Sequence, residues 1–566
     1  MNAPMATRSC FIKRTCAPSP ACPRSSYKPS HPMHLARPLF LQTFTLLAWA
    51  LVTGSLQAEV GLSAVFGDHM VLQRDQVAPV WGWADPSEEV MVSFAGQEKK
   101  TKADKAGSWR VDLDALEASA EGRELKVSGS NGGIRSFKDV LVGEVWVCSG
   151  QSNMEWTVNG SLNANEERVA ANYPLIRHIK VPRAPSDSHA RTFNSKWQVC
   201  SVDTAGNFTA VGYYFARKLH KELEVPIGLL NSSWGGTRIE PWIPTDGFRI
   251  IAEQSFSKVV LDRIESADPN TEKGRARHLA AIETIRKWTE DAETAVKAGE
   301  FPPKQPASSY VGLGTSHQDP TRLYRSMIHP LVPFGIRGAI WYQGESNGNE
   351  GITYYHKKHG LVKGWRKAWG QGDFPFYWVQ LANFTNDKNT PQGGDGYARV
   401  RDAERKALDI PNTGMAVIID IGETGNIHPK NKQDVGKRLA QWGLAKVYDK
   451  KVVPSGPLFK KMEVVGNRAL IHFDHIGKGL IIGKKDGLKP TEEMVIDAKL
   501  ERFAIAGKDK NWTWANAVID GDVVMVSHPD VPQPVAVRYA YSANPLGANL
   551  YNRDGFPASP FRTDDW

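Results

Sequence analysis

Four polar segments of the chain combine residue types that can perform acyl chemistry, and three of them follow a run of apolar residues. The first, Gly150-Gln151-Ser152, places a serine on a turn introduced by glycine. Such a turn can expose the serine Oγ beside free backbone N–H groups, as a nucleophile that also lines an oxyanion hole requires. Capping of a helix is the other interpretation of this serine.

The second and third segments provide groups that could face a ligand. Residues 231–237 contain the pair Gly235-Gly236, which lets the backbone approach a ligand closely or form a tight turn. Residues 341–347 collect amide, hydroxyl and carboxyl side chains directly behind the aromatic pair Trp341-Tyr342. The aromatic pair indicates a sheltered site rather than a solvated loop.

The fourth segment, residues 420–429, contains His428 between an apolar run and an amphipathic helical pattern. A histidine beyond a strand end can reach across the sheet edge as a general base, although a lone histidine is more often structural. Its combination with the serine turn and the two loops favours the general base.

The helices and strands that must position these segments are predicted from the pattern of apolar and polar residues along the chain. Residues 140–450 alternate short apolar runs with amphipathic helical stretches, which is typical of βαβ units and a parallel sheet. The predicted strands cover residues 141–148, 227–230, 338–342, 376–381 and 415–421. Residues 251–320 are predicted to form an insertion, and residues 59–139 and 451–566 read as flanking antiparallel β domains.

Composition and charge limit the classes of protein to which the chain can belong. With 566 residues, 41% hydrophobic and 23% charged, it is an ordinary multidomain globular chain. Its net charge is +9, but residues 1–58 hold six cations and no acid, which leaves +3 for the remainder. That small surplus gives no reason to expect nucleic acid or an anionic membrane as a partner.

The first 58 residues are predicted to be a secretory leader. Arg37 precedes the apolar run 39–52, which leads to the small-residue exit Ser55-Leu56-Gln57-Ala58, and Met33 is the natural start of such a peptide. We therefore expect a secreted or periplasmic protein with no membrane span after cleavage. Outside the leader only Cys148 and Cys200 remain, and we expect reduced thiols rather than a disulfide scaffold.

The four segments, in this order, resemble the sialate O-acetylesterase family of the SGNH hydrolase superfamily, which is close to the acetylxylan esterases. Segments outside the candidate site also fit this family, namely Asp68–Arg74, Met327–Leu331 and Asn549–Asn552. The resemblance covers essentially residues 60–566. It implies an α/β fold in which an SGNH-type three-layer α/β/α parallel-sheet domain is flanked by accessory β-sandwich-like domains.

The resemblance also implies roles for particular residues. Ser152 would be the acyl nucleophile and His428 its base, with the oxyanion held by the N–H groups of Ser152 and Gly236 and by the side chain of Gln343 or Asn347. Many SGNH enzymes carry an aspartate three residues before the histidine, but that position is Gly425 here. The acids expected to orient His428 are therefore Glu345 or Asp420, with Glu423 or a main-chain carbonyl as further alternatives.

The expected substrate is an O-acetylated carbohydrate, most simply O-acetyl sialic acid, hydrolysed through an acetyl-enzyme without a metal or cofactor. Trp156 and Trp234 are candidate walls for a sugar ring, and Arg238 could meet a sialic acid carboxylate or form a structural ion pair. An esterase for acetylxylan or another polysaccharide, and a non-catalytic glycan-binding protein on the same scaffold, are the alternatives. The sequence predicts no oligomeric state.

Overall fold

A computed structural model describes residues 60–306, 311–385 and 390–566. The predicted leader, residues 1–58, lies outside these described residues. In the part of the chain that is described, no helix is both long and apolar enough to span a membrane.

The region before the central sheet is built from short strands that pair mainly antiparallel, as the alternating pattern of residues 59–139 predicts. The strands are β1 (Gly61–Leu62), β2 (Val71–Gln73), β3 (Ala78–Trp83), β4 (Glu89–Phe94), β5 (Gln97–Lys102), β6 (Ser108–Leu113), β7 (Ser119–Gly129) and β8 (Ile134–Gly150). The long strand β8 pairs with β7 through its first half and enters the central sheet with its second half. It therefore runs across the domain boundary predicted at residues 139 and 140.

The central sheet joins β8 to strands from the middle of the chain. These strands are β9 (Ile176–Lys180), β10 (Gln198–Val199), β11 (Ile227–Ser233), β12 (Gly338–Tyr342), β13 (Phe376–Val379) and β14 (Thr413–Ala416). Their order is β10-β9-β11-β8-β12-β13-β14, with β10 antiparallel and the other pairs parallel. This order confirms the mixed α/β fold, and it makes β11, β8 and β12 direct neighbours.

The last predicted strand differs most from the structure in its extent. The apolar run from Met415 to Ile421 was expected to be a strand throughout, but β14 ends at Ala416. The residues that follow remain buried without being paired in the sheet. An apolar run reports burial, and burial alone does not distinguish a strand from an irregular core segment.

Helices pack in groups against the sheet and against one another. They are α1 (Ser152–Glu155), α2 (Ala164–Val169), α3 (Ala210–Leu223), α4 (Thr245–Ile250), α5 (Ser255–Ala267), α6 (Glu272–Lys297), α7 (Ile352–Trp369), α8 (Tyr397–Lys406) and α9 (Lys432–Lys446). Helix α3 packs against α9, and α7 packs against α4 and α8. In the predicted insertion, α5 and α6 contact each other, and Gly274 is the buried residue of α6.

The last part of the chain forms small antiparallel sheets around a second hydrophobic core, which includes Phe503, Tyr539 and Phe561. The strands are β15 (Leu458–Val465), β16 (Arg468–Asp474), β17 (Leu480–Lys484), β18 (Glu492–Glu493), β19 (Phe503–Ala506), β20 (Trp512–Trp514), β21 (Asn516–Asp520), β22 (Val523–Ser527), β23 (Ala536–Tyr539), β24 (Leu550–Asn552) and β25 (Phe561–Arg562). The first core extends from Val60 to Leu458 and contains Cys148 and Cys200, both buried and unbridged.

Candidate active site

The candidate nucleophile lies where β8 turns into α1. Gly150 ends β8 with a φ of +135°, and a Cβ at this position would lie 2.1 Å from the carbonyl oxygen of Tyr342 on the neighbouring strand. Only glycine fits this close approach. Ser152 begins α1, and its Oγ lies 2.8 Å from Nε2 of His428. The structure thus brings together the two residues that the sequence assigned as nucleophile and base.

The environment of His428 favours the neutral imidazole that a general base needs. Burial, and then the charge of Lys432, hold the pKa of His428 below its ordinary value. Its ring stacks on Trp156, with ring centres 4.7 Å apart and planes inclined by 18°. Trp156 therefore lies against the candidate base, a position that its prediction as a sugar-binding wall did not anticipate.

The loop before His428 is held by local hydrogen bonds. The backbone N–H of His428 donates to Oδ1 of Asn426 at 3.0 Å, and Nδ2 of Asn426 donates to Glu423 Oε2 at 2.9 Å. Within the described residues, no hydrogen bond involves Nδ1 of His428. The imidazole is thus held by the Ser152 contact, the Trp156 ring and its own backbone.

Two backbone N–H groups are suitable donors to an oxyanion, one at the serine turn and one in the loop after β11. Across residues 60–306, 311–385 and 390–566, no hydrogen bond uses the N–H of Ser152 or Gly236. Gly236 has a φ of +75°, and its carbonyl accepts from Ser346 Oγ at 3.0 Å. The preceding Gly235 N–H is occupied, because it donates to Glu155 Oε2 at 2.9 Å.

The side chains expected to complete the oxyanion hole are engaged elsewhere. Gln343 gives its two amide hydrogens to the Thr237 carbonyl at 3.2 Å and to Asn347 Oδ1 at 2.8 Å. Asn347 donates to Glu240 and Glu350 at 3.2 and 3.0 Å. Both side chains are buried, so neither amide has a hydrogen left for a substrate oxygen in this arrangement.

Neither acid expected to orient His428 contacts it. Asp420 instead forms a buried bidentate ion pair with Arg438, at 2.6 and 2.8 Å. Glu345 accepts from Nδ2 of Asn153 at 2.6 Å, and burial raises the pKa of its carboxyl. Both acids were suggested by their position in the motifs, but Arg438 binds both oxygens of Asp420 and Asn153 binds Oε1 of Glu345. The assignment of Asp420 or Glu345 as the partner of His428 is thus corrected.

The sequence missed two residues that join the site together. Asn153 donates to the Ile427 carbonyl at 3.0 Å as well as to Glu345, and its Oδ1 accepts from Nζ of Lys432. Burial lowers the pKa of Lys432 to about 7. Lys432 is the first residue of α9 and residues 428–431 are not helical, so the sequence carried no local signal for this contact.

The remaining candidates lie beside this centre. Trp234 stacks on His317, with ring centres 4.6 Å apart. Arg238 is paired with Glu240 and Glu350 and lines a cavity of about 750 Å³ that also reaches Glu345. The structural ion pair considered for Arg238 is therefore present.

Comparison with known proteins places the chain in a family. Residues 311–444 match the family model described as carbohydrate esterase, sialic acid-specific acetylesterase. The mouse sialate O-acetylesterase is 30% identical over 558 residues, covering 91% of this chain and 96% of the mouse protein. The chain belongs to the sialate O-acetylesterase family. The human sialate O-acetylesterase is 29% identical over 484 residues, covering 78% of this chain and 81% of that protein.

A solved structure agrees with this family assignment. The crystal structure of a carbohydrate acetylesterase from Xanthomonas citri aligns with a TM-score of 0.72 and 36% identity, covering 90% of this chain and 100% of that chain. As a member of the sialate O-acetylesterase family, the chain is a carboxylic ester hydrolase. The resemblance inferred from the four segments is confirmed, and an esterase is favoured over a non-catalytic glycan-binding protein.

Proposed function

We propose that this esterase releases acetate from O-acetylated carbohydrate, with O-acetylated sialic acid as substrate, through an acetyl-enzyme on Ser152. The observation that carries the proposal is the 2.8 Å contact between Ser152 Oγ and His428 Nε2. It occurs in a chain that aligns over 91% of its length with a sialate O-acetylesterase. An oxygen nucleophile within hydrogen-bond reach of a neutral imidazole is the arrangement needed for acyl transfer.

Acylation begins when Ser152 Oγ attacks the acetyl carbonyl carbon and its proton passes to His428 Nε2. The carbonyl oxygen becomes an oxyanion that accepts hydrogen bonds from the N–H groups of Ser152 and Gly236. When the tetrahedral intermediate collapses, the bond to the sugar oxygen breaks. The sugar hydroxyl takes the proton from His428 and leaves.

Deacylation repeats these steps with water as the nucleophile. Water attacks the acetyl carbonyl on Ser152 and gives a proton to His428 Nε2, and the second oxyanion uses the same donors. Collapse breaks the bond to Oγ, the proton returns to Ser152, and acetate leaves. These steps need neither a metal nor a cofactor.

We infer that the face of Trp156 stabilises the imidazolium that forms on His428 in both steps. Serine hydrolases commonly place a carboxylate beside the second imidazole nitrogen for this purpose. Here Gly425 occupies the position from which an aspartate would act. An indole face attracts a cation placed over it, so the stacked ring supplies part of that stabilisation.

The architecture and location follow from the same proposal. Residues 140–450 form the SGNH-type domain with three α/β/α layers, and residues 59–139 and 451–566 are its accessory β domains. The leader at residues 1–58 directs the enzyme to the periplasm or the outside of the cell, where acetylated glycans occur.

The test is acetate release by the purified protein from O-acetylated sialic acid, acetylated xylan and 4-nitrophenyl acetate. Ser152→Ala should lower kcat by about 10³ or more on each ester that the wild type hydrolyses, since the nucleophile and base act as one unit. Ser136→Ala, at an exposed serine in the first half of β8, is the matched control. A Ser152→Ala enzyme that keeps a tenth of wild-type activity would refute the mechanism.

A neutral acetylated polysaccharide is a second candidate substrate. The cavity beside the site contains Glu345, Glu350 and Asp395 against the single cation Arg238, so its lining carries a surplus of acids. Such a lining suits an uncharged sugar better than a carboxylate. Preference for acetylated xylan over sialic acid in the same panel would select this candidate while keeping the mechanism.

A further inference from the structure

A second cavity, of about 700 Å³, lies between α8 and the last strands of the chain. Its charged lining has an excess of cations, namely Arg399, Lys406, Lys510, Arg538 and Arg562, against Asp402 and Asp565. We call it the basic cavity. None of these residues belongs to the site around Ser152.

Structural ion pairs account for some of these cations. Lys406 and Arg562 share Asp402, at 2.9 and 3.3 Å, and Arg538 pairs with the buried Asp564. These three cations stabilise the walls of the cavity.

Two of the cations keep hydrogen-bond donors available for a ligand. Arg399 donates through Nε to the Gly394 carbonyl at 2.7 Å, and the described chain offers no partner to its Nη atoms. Lys510 Nζ likewise has no carboxylate within ion-pair distance among the described residues. Both side chains belong to exposed residues and can reach an incoming anion.

Aromatic rings provide the other half of a saccharide site. Arg538 lies over Trp512 and Tyr541, 3.9 and 5.1 Å from the ring centres, and it is only 4% exposed. Lys510 lies 4.8 Å from the ring centre of Trp566. Arg538 and Lys510 each cover one face of Trp512 and Trp566, respectively, and the opposite faces suit a sugar ring whose carboxylate meets Lys510 or Arg399.

The basic cavity is bordered by the same chain segments as the cavity lined by Arg238, Glu345, Glu350 and Asp395, which we call the acidic cavity. In one segment, Asp395 and Tyr397 line the acidic cavity whereas the nearby Gly394 and Arg399 line the basic one. The same division occurs between Glu350 and Gly351. The two cavities are therefore neighbours along both of these segments.

We propose that the basic cavity binds a carboxylate-bearing saccharide unit of the glycan substrate, either a sialic acid or a uronic acid. The proposal rests on the proposed esterase function, because it extends the same substrate beyond the acetylated position. Recognition would come from the free donors of Arg399 and Lys510 and from the faces of Trp512 and Trp566 that Arg538 and Lys510 do not cover.

Direct binding to the full-length Ser152→Ala protein tests this assignment without turnover. The ligands are a sialyl oligosaccharide, a glucuronate-containing xylo-oligosaccharide and its neutral counterpart, measured by titration calorimetry. Lys510→Glu and Arg399→Gln should each raise Kd for the acidic ligand by about tenfold or more, and added salt should weaken the same binding. Lys508→Ala, at an exposed lysine two residues from Lys510 and outside the cavity lining, is the control.

Each outcome decides a separate question. Binding of only the sialyl or only the glucuronate ligand identifies the source of the carboxylate. Equal affinity for acidic and neutral ligands, or an acidic-ligand Kd that is unchanged in both Lys510→Glu and Arg399→Gln, overturns the cavity assignment. If wild-type acetate release persists in that case, the proposed esterase function stands and only the cavity proposal falls. Absence of acetate release with intact acidic-ligand binding rejects the esterase proposal instead.

Discussion

Replacing Trp156 with leucine should lower kcat and move the acid limb of the pH profile, because the indole face stabilises protonated His428. The ring centres are 4.7 Å apart and the planes are within 18° of parallel, so the imidazolium lies over the face of the indole. Such a contact contributes about 0.5–1 kcal/mol when exposed and about 2 kcal/mol when desolvated. For the half-buried His428 we expect about 1–2 kcal/mol, or about a five- to thirtyfold loss in kcat.

The same interaction energy predicts a shift of definite sign in the pKa of His428. Trp156 favours the charged imidazole, so its removal should lower the pKa of His428 further, by about 0.7–1.5 units. The acid limb of kcat/KM reports this pKa in the free enzyme and should therefore move to lower pH. Trp156→Phe should show smaller changes in the same direction, since phenylalanine attracts a cation less strongly than tryptophan.

The assay uses 4-nitrophenyl acetate, which has no sugar to stack on a tryptophan. Trp234→Leu removes another Trp–His stack, the one with His317, and should leave the acid limb in place. An unmoved acid limb in Trp156→Leu would refute the role in stabilising the imidazolium. Loss of activity only on sugar substrates would assign Trp156 to a substrate wall.

Four further results are expected. The wild-type acid limb of kcat/KM should lie below pH 6.5, because burial and then Lys432 lower the pKa of His428, and a limb above that value would contradict this. Gly425→Asp, where an added Cβ meets no atom within 4 Å, should raise the same pKa by about 1 unit and move the limb to higher pH. Asn153→Ala should lower kcat by about 10–100-fold, because it removes the hydrogen bonds to the Ile427 carbonyl and from Lys432 that position the His428 loop. Unchanged kinetics would show that Asn153 does not position His428. Asp420→Asn should lower the free energy of unfolding by about 3–5 kcal/mol in denaturant titration, since it leaves the charge of Arg438 buried without its partner. A loss of kcat of about 10²-fold at unchanged stability would instead support Asp420 as an acid that orients His428.

Much of the scaffold was predictable because strand periodicity and turn residues are local properties. The apolar run 338–342 matches β12 residue for residue, and β11 contains the predicted run 227–230. The glycine before Ser152 indicated a tight turn, and the turn is present with the φ that glycine tolerates. The end of β14 was not predictable, because the apolar residues of 417–421 are buried whether or not they pair in a sheet.

The sequence alone determined which residues could be nucleophile and base, since only the order of strand, turn and helix is needed to place Ser152 and His428 at one sheet edge. The tertiary structure decided which partners surround them. Asp420 forms an ion pair with Arg438, and the amides of Gln343 and Asn347 donate to neighbouring groups. A buried polar group forms hydrogen bonds with whichever partner has good geometry, whatever its distance along the chain. The Trp156 stack on His428 and the basic cavity likewise depend on side chains from distant segments, and the local periodicity of a sequence does not predict such contacts.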